Sequence, residues 1–330
     1  MRVMIADTRP ESRRQLAEAV AGMRAISLGV CASDLSEAYH AIESRPPQAV
    51  IVAEALAVLP EFEVILTLLK ALDVRCVVLA DSPASMKRLP IPTDQPGVAV
   101  THRGISAEEL RNCLLSVHLG RETKEQVRGQ GAGDLAFQQG RVILIGASTG
   151  GVDALLNVLG AFPTNCPPTL VVQHTSGTFS AGLSRLLDRN VAPSVSEAQD
   201  GQPLAPGSIL LAPGKEHHLE LRLGSGLQCR LRTAPLQSGH RPSVDALFYS
   251  AVPVASRVTA AILTGMGRDG ADGLLALRRA GAETIGQDAE SSLVYGMPRA
   301  AHEIGAVARQ LPLDQIGPAL LRTCIGRSAA

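Results

Sequence analysis

Apolar segments of two kinds alternate along most of this chain, and the alternation constrains its fold more than any other feature. Short runs rich in β-branched residues, such as residues 49–53 and 76–80, have the length and composition of buried strands. Between them lie segments such as residues 11–23, whose apolar residues recur at helical spacing. Strict alternation of this kind predicts parallel strands joined by helices. Over residues 1–120 it predicts a flavodoxin-like (βα)5 domain of the α/β class.

The ends of these strands resemble, only in part, the phosphorylation pocket of response-regulator receiver domains. A receiver has an acidic pair after its first strand, an acceptor aspartate at the third, a hydroxyl residue at the fourth and a lysine at the fifth. Here Asp7 stands alone, Ala53 takes the acceptor position, Asp81 falls near the hydroxyl position, and Arg103 follows the fifth strand. Strand alternation would point Glu54 to the opposite side, and a lone carboxylate holds Mg²⁺ poorly. We therefore predict a pseudo-receiver without a phosphoacceptor.

The chain changes character after residue 120. Residues 121–139 are polar and rich in glycine, with almost no apolar periodicity, which predicts a flexible linker between two domains. Strand and helix patterns return over residues 140–330, and residues 219–223 and 227–231 alternate around a glycine turn in the manner of a β-hairpin. We predict that this second domain is a doubly wound parallel sheet that carries the hairpin.

Three apolar strands of the second domain end in side chains with catalytic chemistry. The first runs into Gly146-Ala147-Ser148-Thr149-Gly150, which fits the Gly-x-Ser-x-Gly pattern of a nucleophile at a sharp strand-to-helix turn. His174 ends the next strand and Asp269 follows a third. Because parallel strands share one carboxyl edge, these residues can converge as nucleophile, base and orienting acid. Each also has a structural explanation, since Ser148 and Asp269 could cap helices and a single histidine often only ends a strand.

A different set of residues is also open. An α/β-hydrolase places its histidine after its acid in the chain, so Ser148, Asp269 or Asp288, and His302 would form such a set. The second domain has few strand–helix units and its serine turn comes at the start, which disfavours this arrangement.

Composition excludes several classes of partner. Acidic and basic residues number 31 each, which argues against nucleic acid or a membrane surface as the main partner. With five Phe, three Tyr and no Trp, the chain has few groups on which bases could stack. Six widely spaced cysteines fit neither a zinc site nor a disulfide framework and suit a reducing compartment. Without a signal-peptide core or a membrane-spanning apolar run, we expect a cytoplasmic protein with no membrane insertion.

Residues 140–325 resemble the catalytic domain of the chemotaxis protein-glutamate methylesterase family, CheB. The matching motifs are residues 145–151, Gln173-His174 with Phe179 beyond, and residues 211–214, 240–245, 263–271 and 295–298. The resemblance implies hydrolysis of glutamate γ-methyl esters on methyl-accepting chemoreceptors, often with deamidation of receptor glutamines, and it requires no metal or cofactor. The order of receiver, linker and esterase domain matches as well.

Carried over by motif, the resemblance assigns roles to individual residues. Ser148 is the nucleophile, His174 the general base and acid, and Asp269 the carboxylate that orients the histidine. Thr149 and the backbone N–H of Met266 are neighbours of the oxyanion. Such a donor contributes roughly 3 kcal/mol to lowering an acyl-transfer barrier.

The same resemblance places His240 and Arg241 either along the substrate path or in a packing role. In the family an unphosphorylated receiver covers the esterase site, and phosphorylation relieves the block. With Ala53 at the acceptor position we expect this control to be absent, which leaves constitutive activity or control by a protein that docks on the pseudo-receiver. The alternative class is a catalytically silent scaffold that binds receptors or signalling proteins. Retention of all three triad residues favours the enzyme.

Overall fold

The computed structural model divides into two compact units, Met1–Gln126 and Val127–Ala330. The residues described are 1–72, 74–89, 97–117, 136–174, 180–214 and 216–325. Most of the predicted linker at residues 121–139 lies outside the described residues, as does Phe179 of the family resemblance.

A parallel sheet with strand order β2-β1-β3-β4-β5 forms the first unit. Its strands are β1 (Arg2–Ala6), β2 (Ser27–Ala32), β3 (Ala49–Ala53), β4 (Arg75–Ala80) and β5 (Val98–His102). Its helices are α1 (Pro10–Ala21), α2 (Leu35–Ser44), α3 (Glu54–Ala57), α4 (Phe62–Ala71), α5 (Pro83–Met86) and α6 (Ala107–Ser116). This strand order is that of flavodoxin-like folds, which confirms the predicted α/β arrangement.

Local sequence accounts for most of these elements. β3 is buried along its whole length, as expected of a central parallel strand. Ser106 caps α6 by accepting from the Glu109 N–H, and the Glu109 side chain accepts from the Ser106 N–H, so the two residues form a capping box. Between β3 and β4 the chain forms two helices, and the first of them, α3, begins directly after Ala53.

A larger parallel sheet, in the order β14-β13-β12-β6-β7-β9-β8, forms the second unit, and β10 and β11 pair as a separate antiparallel hairpin. Its strands are β6 (Val142–Ala147), β7 (Thr169–Gln173), β8 (Ser194–Glu197), β9 (Ser208–Leu211), β10 (His218–Leu223), β11 (Leu227–Arg232), β12 (Val258–Ile262), β13 (Glu283–Gln287) and β14 (Arg309–Leu311). Its helices are α7 (Gly151–Gly160), α8 (Ser180–Asn190), α9 (Val244–Ser250), α10 (Ala271–Arg279), α11 (Met297–Glu303) and α12 (Leu313–Cys324), with a 3₁₀ helix at Val252–Arg257. The predicted parallel sheet and hairpin are confirmed.

Helices cover both faces of this sheet. On one face, Ile262 of β12 belongs to a buried cluster with Phe248 of α9 and Leu274 of α10. Thr259 points to the opposite face, because side chains alternate along a strand. Its hydroxyl lies 2.8 Å from that of Thr323 in α12, so α12 packs on that second face. The sheet is therefore doubly wound.

The order of the second sheet reverses at β6. From β6 the chain builds outward through β7, and it later returns to place β12 on the other side of β6. Ala147 pairs with Gln173, and Gly146 pairs with Ile262, so the three strands end at nearly the same level. In open parallel sheets, ligands bind at the carboxyl ends of strands where the order reverses. The three candidate catalytic residues follow these three strands.

Candidate active site

Ser148 lies in the turn between β6 and α7. Its N–H donates to the Thr264 carbonyl (3.0 Å), and its carbonyl accepts from the Gly151 N–H (2.8 Å) and the Gln173 side-chain amide (2.7 Å). None of these bonds uses the hydroxyl. Gly150, without a side-chain bond, is the N-cap of α7, so Ser148 is not the helix cap that its position in the sequence allowed.

Two glycines give this turn its shape. Gly150 has a φ of 81°, in the left-handed region that favours glycine. Gly265, in the loop after β12, approaches the serine so closely that an added Cβ would lie 2.6 Å from the Ser148 Cβ. The loop that carries Met266 and Asp269 therefore runs directly beside the serine.

His174 follows β7 and stands beside Ser148 in the sheet register. Its N–H donates to the Ala147 carbonyl (3.1 Å). Its ring nitrogen Nε2 lies 2.8 Å from Oδ2 of Asp269, and the imidazole side chain is 9% exposed. The second ring nitrogen, Nδ1, is buried and has no hydrogen-bond partner in the described part of the chain. Nδ1 is thus the ring atom left to accept a proton.

Asp269 is buried, and its two carboxylate oxygens accept hydrogen bonds from four groups. Oδ1 accepts from the Ser243 hydroxyl (2.8 Å) and the Asp245 N–H (3.0 Å). Oδ2 accepts from the Val244 N–H (2.8 Å) and from His174 Nε2 (2.8 Å). Burial would raise the pKa of Asp269, but the hydrogen bonds from His174 and from backbone N–H groups outweigh burial and hold it below its ordinary value. An ionised carboxylate therefore faces the imidazole.

The helix cap proposed as the structural role of Asp269 is wrong for the helix that follows it. Gly270 is the N-cap of α10, whereas Asp269 accepts from the first two N–H groups of α9. Ser243 caps α9 by accepting from the Ala246 N–H (3.2 Å) and also donates to Asp269. Sequence reasoning missed this second role of Ser243, whose only local signal was a serine before a helical pattern.

A tight turn places His240 over His174. Residues 237 and 240 exchange two backbone hydrogen bonds of 3.0 and 2.9 Å, and Ser238 and Gly239 have φ values of 50° and 82°, as a type I′ turn requires. The two imidazole rings are stacked, with centroids 3.9 Å apart and planes inclined by 7°. Burial, followed by the charge on His174, lowers the pKa of His240.

Two further bonds hold this turn. The Ser238 hydroxyl donates to Oδ2 of Asp245 (2.5 Å), and the Arg241 guanidinium donates to the Ala234 carbonyl (2.7 Å). Asp245 belongs to α9, and its own N–H donates to Asp269. The segment of residues 238–245 therefore supports both the His240 ring and the buried Asp269 carboxylate.

Thr149 and Met266 are the two residues that the family resemblance places near the oxyanion. Thr149 is half-buried, and its carbonyl accepts from the Thr264 hydroxyl (2.8 Å). The Met266 side chain is 74% exposed, while its backbone adjoins Gly265, the residue in close contact with Ser148. The structure therefore brings the Met266 main chain to the serine and leaves its side chain at the surface.

The alternative arrangement with His302 does not assemble. His302 is exposed on α11. Asp288 accepts from the Ser291 N–H (3.0 Å) and hydroxyl (2.6 Å), and Asp269 is bonded to His174 instead. The fold thus pairs Asp269 with the histidine that precedes it in the chain.

The thiols and the described helices add little to this site. The six cysteines are free, and burial raises the pKa of Cys76 and Cys166 to about 12, which makes these thiols unreactive. Among the residues described, no three His, Cys, Asp or Glu side chains are placed to hold a metal ion together. None of the described helices is long and apolar enough to cross a membrane.

At the carboxyl edge of the first sheet, Arg9 and Arg103 bond to the two aspartates at the positions compared with a receiver pocket. Asp7, whose side chain is 0% exposed, accepts from the Ser12 hydroxyl (2.6 Å) and from Nη2 of Arg103 (2.6 Å). Arg103 Nε and Arg9 Nη2 both donate to Oδ1 of Asp81, at 2.7 and 2.5 Å. Burial would raise the pKa of Asp7, but its bonds with Ser12, Arg9 and Arg103 hold it below the ordinary value.

The expected direction of Glu54 is wrong. β3 ends at the buried Ala53, and Glu54 begins α3, so strand alternation does not reach it. Its carboxylate lies at the same edge as the pocket and accepts from the Asp81 N–H (2.6 Å) and the Ser85 hydroxyl (2.6 Å).

An open parallel sheet with a serine and a bonded His–Asp pair at its reversal point defines a class of α/β proteins with the residue types of a serine hydrolase. The family model described as CheB methylesterase matches residues 143–320, just over half of the chain. The chain belongs to the CheB methylesterase family.

Relatives and a solved structure are similar to this chain over part of its length. "Protein-glutamate methylesterase/protein-glutamine glutaminase" of Gluconobacter oxydans (strain 621H) is 57% identical over 193 residues, which cover 57% of this chain and 55% of the relative. A Caulobacter vibrioides protein of the same name, numbered 1, is 53% identical and covers 55% and 53%. The crystal structure of the Thermotoga maritima CheB methylesterase catalytic domain has a TM-score of 0.55 and 34% identity, covering 56% of this chain and 100% of that one. The chain spans about half the length of the curated relatives it matches.

Proposed function

We propose that this protein hydrolyses glutamate γ-methyl esters on another protein, the activity that its relatives' names state of them. The observation that carries the proposal is the buried His174–Asp269 pair, joined at 2.8 Å, beside Ser148 where the sheet order reverses. Ester hydrolysis through a covalent intermediate needs a nucleophile, a base and a charge that stabilises the protonated base. These three side chains supply one each.

The first half of the reaction transfers the glutamyl group to the enzyme. The Ser148 oxygen attacks the ester carbonyl while its proton passes to Nδ1 of His174, and the carbonyl oxygen becomes an oxyanion. Asp269, bonded to Nε2, stabilises the imidazolium. When the intermediate collapses, the bond to the methoxy group breaks and His174 returns the proton to it, so methanol leaves and a glutamyl ester of Ser148 remains.

The second half regenerates the enzyme. His174 takes a proton from a water molecule, whose oxygen attacks the glutamyl–serine ester. Collapse of the second oxyanion breaks the bond to Ser148, and His174 returns the proton to the serine oxygen. The product is the free glutamate carboxyl group. No step needs a metal or a cofactor.

The backbone N–H of Met266 and the Thr149 residue serve the oxyanion. Their location supports this role, because the Gly265–Ser148 contact brings the Met266 main chain beside the nucleophile. A donor aimed at the oxyanion contributes about 3 kcal/mol to lowering the barrier.

Glutamine deamidation uses the same site. Attack of Ser148 on a glutamine side-chain amide gives the same glutamyl ester, with ammonia as the leaving group in place of methanol. The relatives' second name, protein-glutamine glutaminase, supports this activity.

The surroundings of the serine suit a protein substrate. The Met266 and Leu293 side chains are 74% and 63% exposed, and Leu293 lies against the serine turn, where a Cβ added at Gly150 would be 2.8 Å from the Leu293 Cβ. Large exposed apolar side chains are typical of contact surfaces. We take methyl-accepting chemoreceptors as substrate and partner, and the cytoplasm as the location, where the free cysteines stay reduced.

The first unit acts as a pseudo-receiver, and phosphorylation does not control the esterase. Ala53 offers no acceptor at the end of β3, and Asp7 is engaged by Ser12 and Arg103. The esterase is then constitutively active or controlled by a protein that docks on this unit. Incubation with acetyl phosphate and Mg²⁺ tests the loss of phosphorylation by intact mass. We expect no phosphoryl adduct, and an adduct on Asp7 or Asp81 would overturn the assignment.

The direct test of the esterase measures methanol release from a methylated chemoreceptor. We expect release by the wild type and a loss of at least about 10⁴-fold in Ser148→Ala. Ser225→Ala, in the exposed turn of the hairpin, is the matched control and should keep the wild-type rate. Equal rates in wild type and Ser148→Ala would remove Ser148 as the nucleophile. No release by the wild type would favour the scaffold.

A further inference from the structure

The His240 ring covers one face of the His174 imidazole. The two rings are stacked nearly parallel, with centroids 3.9 Å apart and planes inclined by 7°, and do not meet edge to face. The stack joins the proposed base to a second titratable ring, and none of the steps of hydrolysis needs that second ring.

The stack restrains a motion that the Asp269 bond leaves open. A histidine ring rotates broadly about its χ2 torsion. The bond from Nε2 to Asp269 holds one edge of the His174 ring. The plane of the ring also has to be held if Nδ1 is to take the serine proton in the proposed reaction. A ring packed flat against the face opposes this rotation.

The groups around His240 favour its neutral form. Burial and the charge on His174 lower the pKa of His240, and Asp269, beyond the stacked ring, has a smaller effect in the other direction. From α9, Asp245 faces the same turn, but it accepts from the Ser238 hydroxyl. The neighbouring Arg241 guanidinium is directed to the Ala234 carbonyl. A neutral ring presents a π face to the imidazolium that forms on His174 during the reaction.

We infer that His240 is a positioning residue, a neutral ring that holds the plane of His174 and covers the imidazolium formed when the serine proton moves. The inference rests on the proposed esterase function. It assigns His240 an effect on kcat and not on substrate binding, because the contact is with the base.

Two substitutions separate stacking from proton chemistry. His240→Ala removes the ring, and we expect kcat to fall about tenfold or more with KM within about twofold. His240→Phe keeps a flat ring without a titratable group, and kcat should stay within about threefold of wild type. His302→Ala, exposed on α11, is the control and keeps wild-type kinetics.

Either of two kinetic results would overturn the inference. Wild-type kcat in a folded His240→Ala enzyme would show that the ring positions nothing. Equal losses in the Ala and Phe variants, with both folded by circular dichroism, would show that the imidazole itself is required.

A measurement that does not use turnover separates this inference from the esterase proposal. The ring protons of His240, followed by NMR against pH, should titrate at higher pH in His174→Gln than in wild type, because the neighbouring charge is gone. If this shift occurs but the wild type releases no methanol, the esterase proposal fails and the stack stands. If methanol is released but the midpoint does not move, the coupling between the rings is refuted.

Discussion

Replacing Asp269 by asparagine tests whether activity and stability depend on the negative charge of the carboxylate that is hydrogen-bonded to the His174 imidazole. Each carboxylate oxygen accepts one backbone N–H, Oδ1 from Asp245 and Oδ2 from Val244. An asparagine side chain has a single oxygen, so in either orientation its NH₂ group faces one of these N–H groups. A buried donor left without an acceptor costs about 1–3 kcal/mol. We expect the free energy of unfolding of Asp269→Asn to fall by about this amount.

The expected loss of kcat depends on which end of the asparagine amide, the oxygen or the NH₂ group, faces His174. With its oxygen towards His174, the bond to Nε2 remains but loses its charge, which weakens it by about 1 kcal/mol, or roughly fivefold in kcat. With its NH₂ group towards His174, Nε2 has to accept, and the proton moves to Nδ1, the atom that takes the serine proton in the proposed reaction. The histidine is then in the wrong tautomer for a base, a defect that costs on the order of 10⁴ in kcat. The expected loss therefore lies between these limits.

Methanol release at saturating methylated receptor measures kcat, and urea titration of the same preparations measures the free energy of unfolding. Asp272→Asn is the matched control, because that carboxylate is 47% exposed and pairs with Arg268 at 2.9 Å on the surface of α10. We expect the control to keep kcat within about twofold and stability within about 0.5 kcal/mol. An Asp269→Asn enzyme with unchanged kcat and unchanged stability would refute the reasoning.

Further substitutions test the first sheet edge and the serine turn. Arg103→Ala leaves the buried Asp7 carboxylate without its guanidinium, and urea titration should show a loss of about 2 kcal/mol, the usual contribution of a hydrogen bond to a charged group, against little change for Arg14→Ala in an exposed pair. Because its bonds hold the pKa of Asp7 below the unfolded value of 3.8, this stability is present above that value and is lost as pH falls through the lowered pKa. The two proteins should therefore converge in stability in acid, and a constant difference would contradict this origin. Gly265→Ala places a Cβ 2.6 Å from that of the serine and should lower both Tm and methanol release, whereas Gly226→Ala has open space and should change neither. Full activity in Gly265→Ala would show that the loop beside the serine can move away.

The local apolar pattern was sufficient to predict the central strands, but it did not reveal strand β13 or helix α12 of the second unit. The residues predicted as a strand at 49–53 coincide with β3, and the strand predicted to end at His174 is β7, because a strand buried on both faces is an unbroken apolar run. β13 was not predicted, since Glu283, Thr284 and Gln287 interrupt its apolar pattern. α12 was also missed, and it carries Pro318 inside the helix, which in sequence normally ends one.

The approach of His174 to Asp269 could be anticipated from topology, because their strands flank β6 in a parallel sheet. The other contacts of the site could not be anticipated in this way. Ser243 lies 26 residues from Asp269, and the stack of His240 depends on where the turn before α9 crosses the sheet edge. No local pattern encodes that crossing. The prediction for Glu54 was wrong for a related reason. Side chains alternate between the two faces only within a strand, so an error about where the strand ends changes the predicted direction of the next side chain.

The bonds between Asp269 and the start of α9 make two amide protons into reporters of the site. The Val244 and Asp245 N–H groups donate to the same carboxylate that faces His174. Their exchange with deuterium therefore requires this carboxylate to be released, so protection at these two amides measures how much of the population has its acid in place. The fraction of molecules in which the Asp269 carboxylate is bonded to α9 can be followed in this way in the free protein, with neither a receptor nor a methyl ester present.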